Sequence, residues 1–256
     1  MIMKYLLEIN ELTISVGRKL LLNNVSLKAA HGKITALVGG SGSGKTTIAN
    51  AILGLLPSSL EVLQGQILFD HKNLFLFDQE QMRLMRGAKM AMIFQEPLWA
   101  FNPLMTIGQQ MDEVLEVHTS LNKDQRRHKI LDVLFKVQLP SAEDIYNRYP
   151  HQLSGGQRQR AMIAQALVSD PQMIIADEPT SNLDVTSQAK IMELLRQFKN
   201  EGMTILLISH DLGMVSHLAD DIVILEKGKV VEEGTVASIM KNPRHKYTQA
   251  LLEAFA

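Results

Sequence analysis

The chain contains no cysteine. Disulfides, thiolate zinc sites and cysteine-ligated iron–sulfur clusters are therefore excluded, and a reducing compartment is compatible with that usage. An excess of charge of one sign is also lacking: 26 Lys and Arg stand against 27 Asp and Glu, for a formal net charge of −1. The short run Arg126-Arg127-His128-Lys129 reads as part of a solvated helix face rather than a basic stripe. Nucleic acid is not an expected partner for such a chain. No run approaches the ~18 apolar residues that a membrane-spanning helix needs. The stretch Met1 to Asn10 carries Glu8 and lacks the long apolar core of a secretory signal. What remains is ordinary globular material, 256 residues of which 46% are hydrophobic. That is enough for one large domain with a sub-lobe and a sizeable core.

Gly39-Gly40-Ser41-Gly42-Ser43-Gly44-Lys45-Thr46 fits the phosphate-binding pattern G-x-x-x-x-G-K-[ST]. Ile34 to Val38 before it reads as a buried strand, and Thr47 to Leu55 after it as a helix. That is the context the motif requires. Glycines let the backbone turn its N–H groups toward phosphates, and a helix N-terminus favours an anion. Lys45 is expected to reach the β- and γ-phosphates, Thr46 to hold Mg²⁺ through its hydroxyl, and Thr47 to complete the binding set.

Met173 to Ala176 is an apolar strand ending in Asp177-Glu178. An acid at a strand end can hold Mg²⁺ through water, and its neighbour can polarise the water that attacks a γ-phosphate. An acidic turn after a strand is also common in α/β proteins, so the pair gains its meaning from the phosphate loop. Leu153-Ser154-Gly155-Gly156-Gln157 opens a helix rich in Arg and Gln. It reads either as a second anion site or as a serine-capped helix.

Strands alternate with helices along most of the chain, which implies a mostly parallel sheet. Leu6 to Val16 and Asn23 to Ala30 read as an antiparallel flap, Gly65 to Asp70 and Lys89 to Phe94 as further strands. From Thr106 to Leu139 the period becomes helical, with Ile107, Met111, Val114, Leu115 and then Ile130, Leu131, Leu134, Phe135 on the apolar face. Gly156 to Val168 and Ser187 to Phe198 read as helices, and Thr204 to Ile208 and Ile222 to Leu225 as strands. Gly228 to Gly234 reads as a hairpin strand, followed by two short helices.

The pentapeptide at Ser154 resembles the signature of ATP-binding cassette (ABC) ATPases, and the companion elements follow in order from Leu6 to Phe255. The resemblance implies an α/β P-loop NTPase core with an antiparallel β flap and a helical subdomain. The expected boundaries are 1–95 with 160–228 for the core, 96–159 for the helical subdomain and 229–256 for a C-terminal extension. It further implies that Leu153, Ser154, Gly155, Gly156 and Gln157 act on the ATP of a second ATPase subunit, in a homo- or heterodimer. Gln95 matches the family's glutamine loop and joins Thr46 and Asp177 in holding Mg²⁺. Glu178 and His210 match its catalytic base and switch histidine, and Asp184, in Ser181-Asn182-Leu183-Asp184, its dimer-interface loop. Where many members place an adenine-stacking aromatic, this chain has Val16, so apolar contact is expected in place of the stack.

Phe94-Gln95-Glu96-Pro97-Leu98-Trp99-Ala100-Phe101-Asn102-Pro103, Met105 to Gln110 and the tail Asn242 to Leu252 are similar to the peptide/nickel uptake subfamily. Oligopeptide and dipeptide members often extend into a cysteine cluster, absent here, which favours a nickel-type importer over the alternative of a di- or oligopeptide importer. A soluble ABC ATPase outside transport is a more distant alternative. The resemblance implies ATP hydrolysis on the cytoplasmic face of the membrane, with two transmembrane permease subunits and an extracytoplasmic substrate-binding protein as partners. Leu98, Trp99 and Phe101 read equally as an interface with a membrane subunit or as core.

Overall fold

A computed structural model of the chain describes residues 4–254; Phe255, the last residue of the family resemblance, lies outside them. The strands, in chain order, are β1 Tyr5–Val16, β2 Lys19–Ala30, β3 Ile34–Val38, β4 Leu60–Phe69, β5 Lys72–Asn73, β6 Met90–Ile93, β7 Met173–Asp177, β8 Thr204–Ser209, β9 Asp221–Glu226 and β10 Lys229–Thr235. The helices are α1 Lys45–Ile52, α2 Gln79–Ala88, α3 Pro97–Ala100, α4 Ile107–His118, α5 Lys123–Lys136, α6 Ala142–Asn147, α7 Gly155–Leu167, α8 Val185–Asn200, α9 Leu212–Leu218, α10 Val236–Lys241 and α11 Lys246–Glu253. Two compact units result. One runs to Met82 and resumes at Leu195; the other is Arg83–Leu194.

The first unit holds two sheets. The antiparallel flap has the order β2-β1-β4-β5, and its register places Val16 opposite Lys19 at the tip of the β1–β2 hairpin. The second sheet has β10-β9-β3-β8, with β3 parallel to both neighbours and β10 antiparallel to β9. Every residue of β3 and β8 is buried. Central parallel strands covered on both faces read as unbroken apolar runs for this reason. Burying each Ile, Leu or Val of β3 contributes about 1.5–3 kcal/mol.

In the second unit β6 and β7 pair in parallel, with Ile93 opposite Ala176. Four helices, α4 to α7, pack together beside them in the sequence. Thr106 starts α4 and Asn122 starts α5, each with a reciprocal cap from a glutamine three residues on. The α4 face is as the spacing predicts: Ile107, Met111 and Leu115 are fully buried. On α5 the stripe is shifted. Ile130, Val133, Leu134 and Val137 are buried, whereas Phe135 is 78% exposed. Apolar residues fall on two adjoining stripes of α5, and the periodicity alone picked the wrong edge. Arg126 also departs from expectation. It is not solvated but ion-paired to Asp112 at 2.7 Å, with 13% of its side chain exposed. Phe101 is buried and Leu98 exposed, which divides the apolar cluster near Gln95; the side chain of Trp99 lies outside the described ones. Among the described residues no helix is long and apolar enough to cross a membrane.

Candidate active site

The loop 39–44 connects the C-terminal end of β3 to α1. In open α/β sheets this is the end at which ligands gather. Gly44, at φ 108°, sits where α1 starts, a backbone conformation that favours glycine. No side chain caps α1, and its first turn carries no acidic residue. The contrast is internal: α4, α5 and α7 all carry side-chain caps. A helix start with no side-chain cap and no acidic residue in its first turn is suited to an anion. The Lys45 ammonium lies inside the loop, donating to the carbonyls of Gly39 at 2.7 Å and Gly40 at 3.0 Å. Ser43 Oγ is buried and has no hydrogen-bond partner among the described residues. The Ser43 carbonyl accepts the Gly228 N–H of the β9–β10 turn at 3.0 Å, which braces the loop from below.

His210 belongs to the same unit. It follows Ser209, which pairs with Val38, so His210 and Gly39 leave neighbouring parallel strands at the same level. The imidazole is exposed. Its neighbour Asp211 caps α9 by accepting the Met214 N–H at 3.0 Å. Val16, at the flap tip, is 37% exposed.

Gln95, Asp177 and Glu178 lie in the second unit, and the register of its two strands explains their meeting. Ile93 and Ala176 are opposite, so residues two further on, Gln95 and Glu178, emerge side by side. Gln95 Nε2 donates to Glu178 Oε2 at 3.0 Å. Asp177 is the buried last residue of β7. Glu178 has φ 46°, a left-handed conformation costly for a side chain of its size and frequent at functional sites. The following turn is tied down: Gln159 donates to the Pro179 carbonyl at 2.6 Å, Ser181 Oγ to the Gln95 carbonyl at 3.3 Å, and Asn182 to Glu96 at 2.6 Å.

Ser154 caps α7. Its hydroxyl accepts the Gln157 N–H at 3.3 Å while Gln157 Oε1 accepts the Ser154 N–H at 3.0 Å. In the single chain the capping reading therefore describes Ser154, through a long and exposed bond. Asp184 accepts both the N–H and the hydroxyl of Ser187, at 2.9 and 2.7 Å. Those bonds from Ser187, the hydroxyl first, hold its carboxyl below the usual carboxylate range. Ser187 in turn crowds the signature helix: a Cβ on Gly156 would lie 2.8 Å from its hydroxyl. Only glycine lets the start of α8 approach α7 so closely. Leu153 is buried, and a Cβ on Gly155 would lie 4.0 Å from Leu183.

The expected Mg²⁺ donors, Thr46, Gln95 and Asp177, offer a hydroxyl, an amide oxygen and one carboxylate. An oxygen set with a single carboxylate suits a cation that keeps several waters and shares substrate phosphates. One residue at the loop was not foreseen as a site residue. Tyr247 of α11 accepts the Gly40 N–H at 2.8 Å.

A family model described as "ABC transporter" matches residues 22–181. The peptidoglycan transport ATP-binding protein YejF of Agrobacterium fabrum is 46% identical over 235 residues, which is 91% of this chain and 43% of that protein. The oligopeptide transport ATP-binding protein OppD of Lactococcus lactis subsp. cremoris is 43% identical over 232 residues, 90% of this chain and 69% of that one. The chain thus spans less than half of the first relative and about two thirds of the second. Among solved structures, the dimeric post-hydrolysis state of the ATP-binding cassette MJ0796 bound to ADP and Pi aligns with a TM-score of 0.79 and 29% identity. It covers 90% of this chain and 98% of that one.

Proposed function

The chain belongs to the ABC transporter family and has its α/β cassette fold, and from that premise we propose that it is the ATP-hydrolysing subunit of a peptide importer. The uncapped start of α1, with the Lys45 ammonium held inside the loop, carries the nucleotide reading. Residues 39–47 hold the phosphates of ATP, with Lys45 at the β- and γ-phosphates and Val16 in apolar contact with the base. Thr46, Gln95 and Asp177 would hold Mg²⁺, which would supply charge neutralisation when bound. Glu178 takes a proton from the attacking water, Gln95 orients both, and His210 donates to the γ-phosphate. Phosphoryl transfer of this kind rests on positioning and electrostatics rather than covalent chemistry.

Leu153 to Gln157 and Asp184 face the ATP of a second ATPase subunit, and the dimeric state of the MJ0796 cassette supports that arrangement. Closure of the pair then drives two permease subunits through the helical subdomain, 96–159; the core comprises 1–95 and 160–228, and 229–256 is the extension. The chain works at the cytoplasmic face of the membrane, with an extracytoplasmic protein delivering the cargo.

The expectation of nickel as cargo gives way to the peptide alternative. Relatives at 43–46% identity carry names of oligopeptide and peptidoglycan transport, and the absence of a cysteine cluster does not outweigh them. Uptake of labelled di- and oligopeptides and of labelled Ni²⁺ in cells lacking this chain tests the reading. Loss of peptide uptake with nickel uptake intact is expected. Loss of nickel uptake alone would sink the peptide assignment.

A further inference from the structure

The peptide group between Gly39 and Gly40 is held at both ends. Its carbonyl accepts the Lys45 ammonium at 2.7 Å, and its N–H is donated to Tyr247 Oη at 2.8 Å. A trans peptide is planar, with C=O and N–H pointing in opposite directions, so fixing one end fixes the other. Both residues flanking this peptide are glycine, the residue type that most readily lets a peptide rotate. The sequence therefore gives the loop freedom at the position where Lys45 docks, and the tyrosine hydroxyl removes it.

Tyr247 is itself held firmly. The Glu232 carboxylate on β10 accepts the N–H groups of Arg244 and His245 at 2.8 and 3.0 Å. His245 then caps α11 by accepting the Tyr247 N–H at 3.2 Å. Thr248, the next residue, is buried. A Cβ on Gly40 would lie 3.2 Å from the tyrosine hydroxyl, so the ring sits close against the loop backbone. Loop, ring and anchoring carboxylate all belong to the first unit.

We propose that Tyr247 is a positioning residue for ATP binding: it locks the Gly39–Gly40 peptide so that its carbonyl holds Lys45 ready for the phosphates, and it thereby makes the C-terminal segment a working part of the phosphate loop. The inference rests on the nucleotide reading above. Tyr247→Phe removes the hydroxyl and leaves the ring. The loss of one hydrogen bond of ordinary net strength sets the expected effect at about three- to tenfold.

The test is equilibrium binding of a ribose-labelled fluorescent ATP to the full chain and to Tyr247→Phe, with amide hydrogen exchange on both. The variant is expected to bind about three- to tenfold more weakly, with faster exchange at Gly40 and unchanged protection of α11. Equal affinity in the two proteins overturns the proposal. So does an affinity loss that comes with loss of α11 protection, because the tyrosine would then serve only to anchor the tail. If the parent chain fails to bind ATP, the nucleotide reading itself falls, and the inference falls with it.

Discussion

Gln95 and Glu178 are 83 residues apart in sequence, yet they are bonded because two parallel strands are in register at Ile93 and Ala176. Each side chain alone is an ordinary amide or acid; the register makes them a pair. Glu178 holds its half of the pair on a left-handed backbone, φ 46°. Val16 is a residue-scale departure of the other kind. It stands partly exposed at the flap tip, where the proposed function places the base. Stacking contributes about 1–3 kcal/mol per base. Val16→Tyr should therefore tighten ATP binding by about fivefold or more in a calorimetric titration. Unchanged affinity would show that the base does not meet β1 at this residue.

At the scale of elements, the contiguous motifs were legible and the long-range ones were not. The strand, loop and helix around Lys45 can be read from one contiguous stretch, and so can β7 with Asp177. The helices α2 and α9 carry no comparable sequence signal. The first is kinked by Arg86 and Gly87 and buries only Met82, so no apolar stripe announces it. The second has seven residues and depends on the Asp211 cap. The Tyr247 contact joins residues 207 apart, and nothing in the local pattern of the tail points to it. Phe135 shows the limit of periodicity where a helix carries apolar residues on two neighbouring stripes.

His118, the last residue of α4, gives an element-scale prediction. Burial, and next the charge of Arg83, lower its pKa below the usual 6.5, and its Nδ1 is buried without a partner among the described residues. The folded chain therefore resists protonating it, while the unfolded chain does not. Its contribution to stability is complete above about pH 6.5 and declines as pH falls from there toward the lowered folded value. The parent's resistance to chemical denaturation should fall as pH drops below 6.5, and His118→Gln should flatten that slope. An identical slope in the two proteins would place the pH dependence elsewhere.

At the scale of the whole molecule, the proposed machinery is distributed. Lys45, Thr46 and His210 belong to one compact unit, and Gln95, Asp177, Glu178 and Ser154 to the other. In the proposed function Lys45 anchors ATP binding and Glu178 activates the attacking water. Ser154 and Asp184, proposed to face a second subunit, both lie exposed on the second unit; Ser187 bonds Asp184 and stands close to Gly156, two residues after Ser154. Nothing in composition separates these roles; they follow from which strand ends carry which residues.

ATP binding and phosphate release, measured side by side on the parent chain, Lys45→Ala and Glu178→Gln, test that claim most directly. The account predicts that Lys45→Ala loses binding. It predicts that Glu178→Gln keeps parental affinity while turnover drops by about a hundredfold or more, the usual loss when a positioned base is removed. Near-parental phosphate release by Glu178→Gln would contradict it.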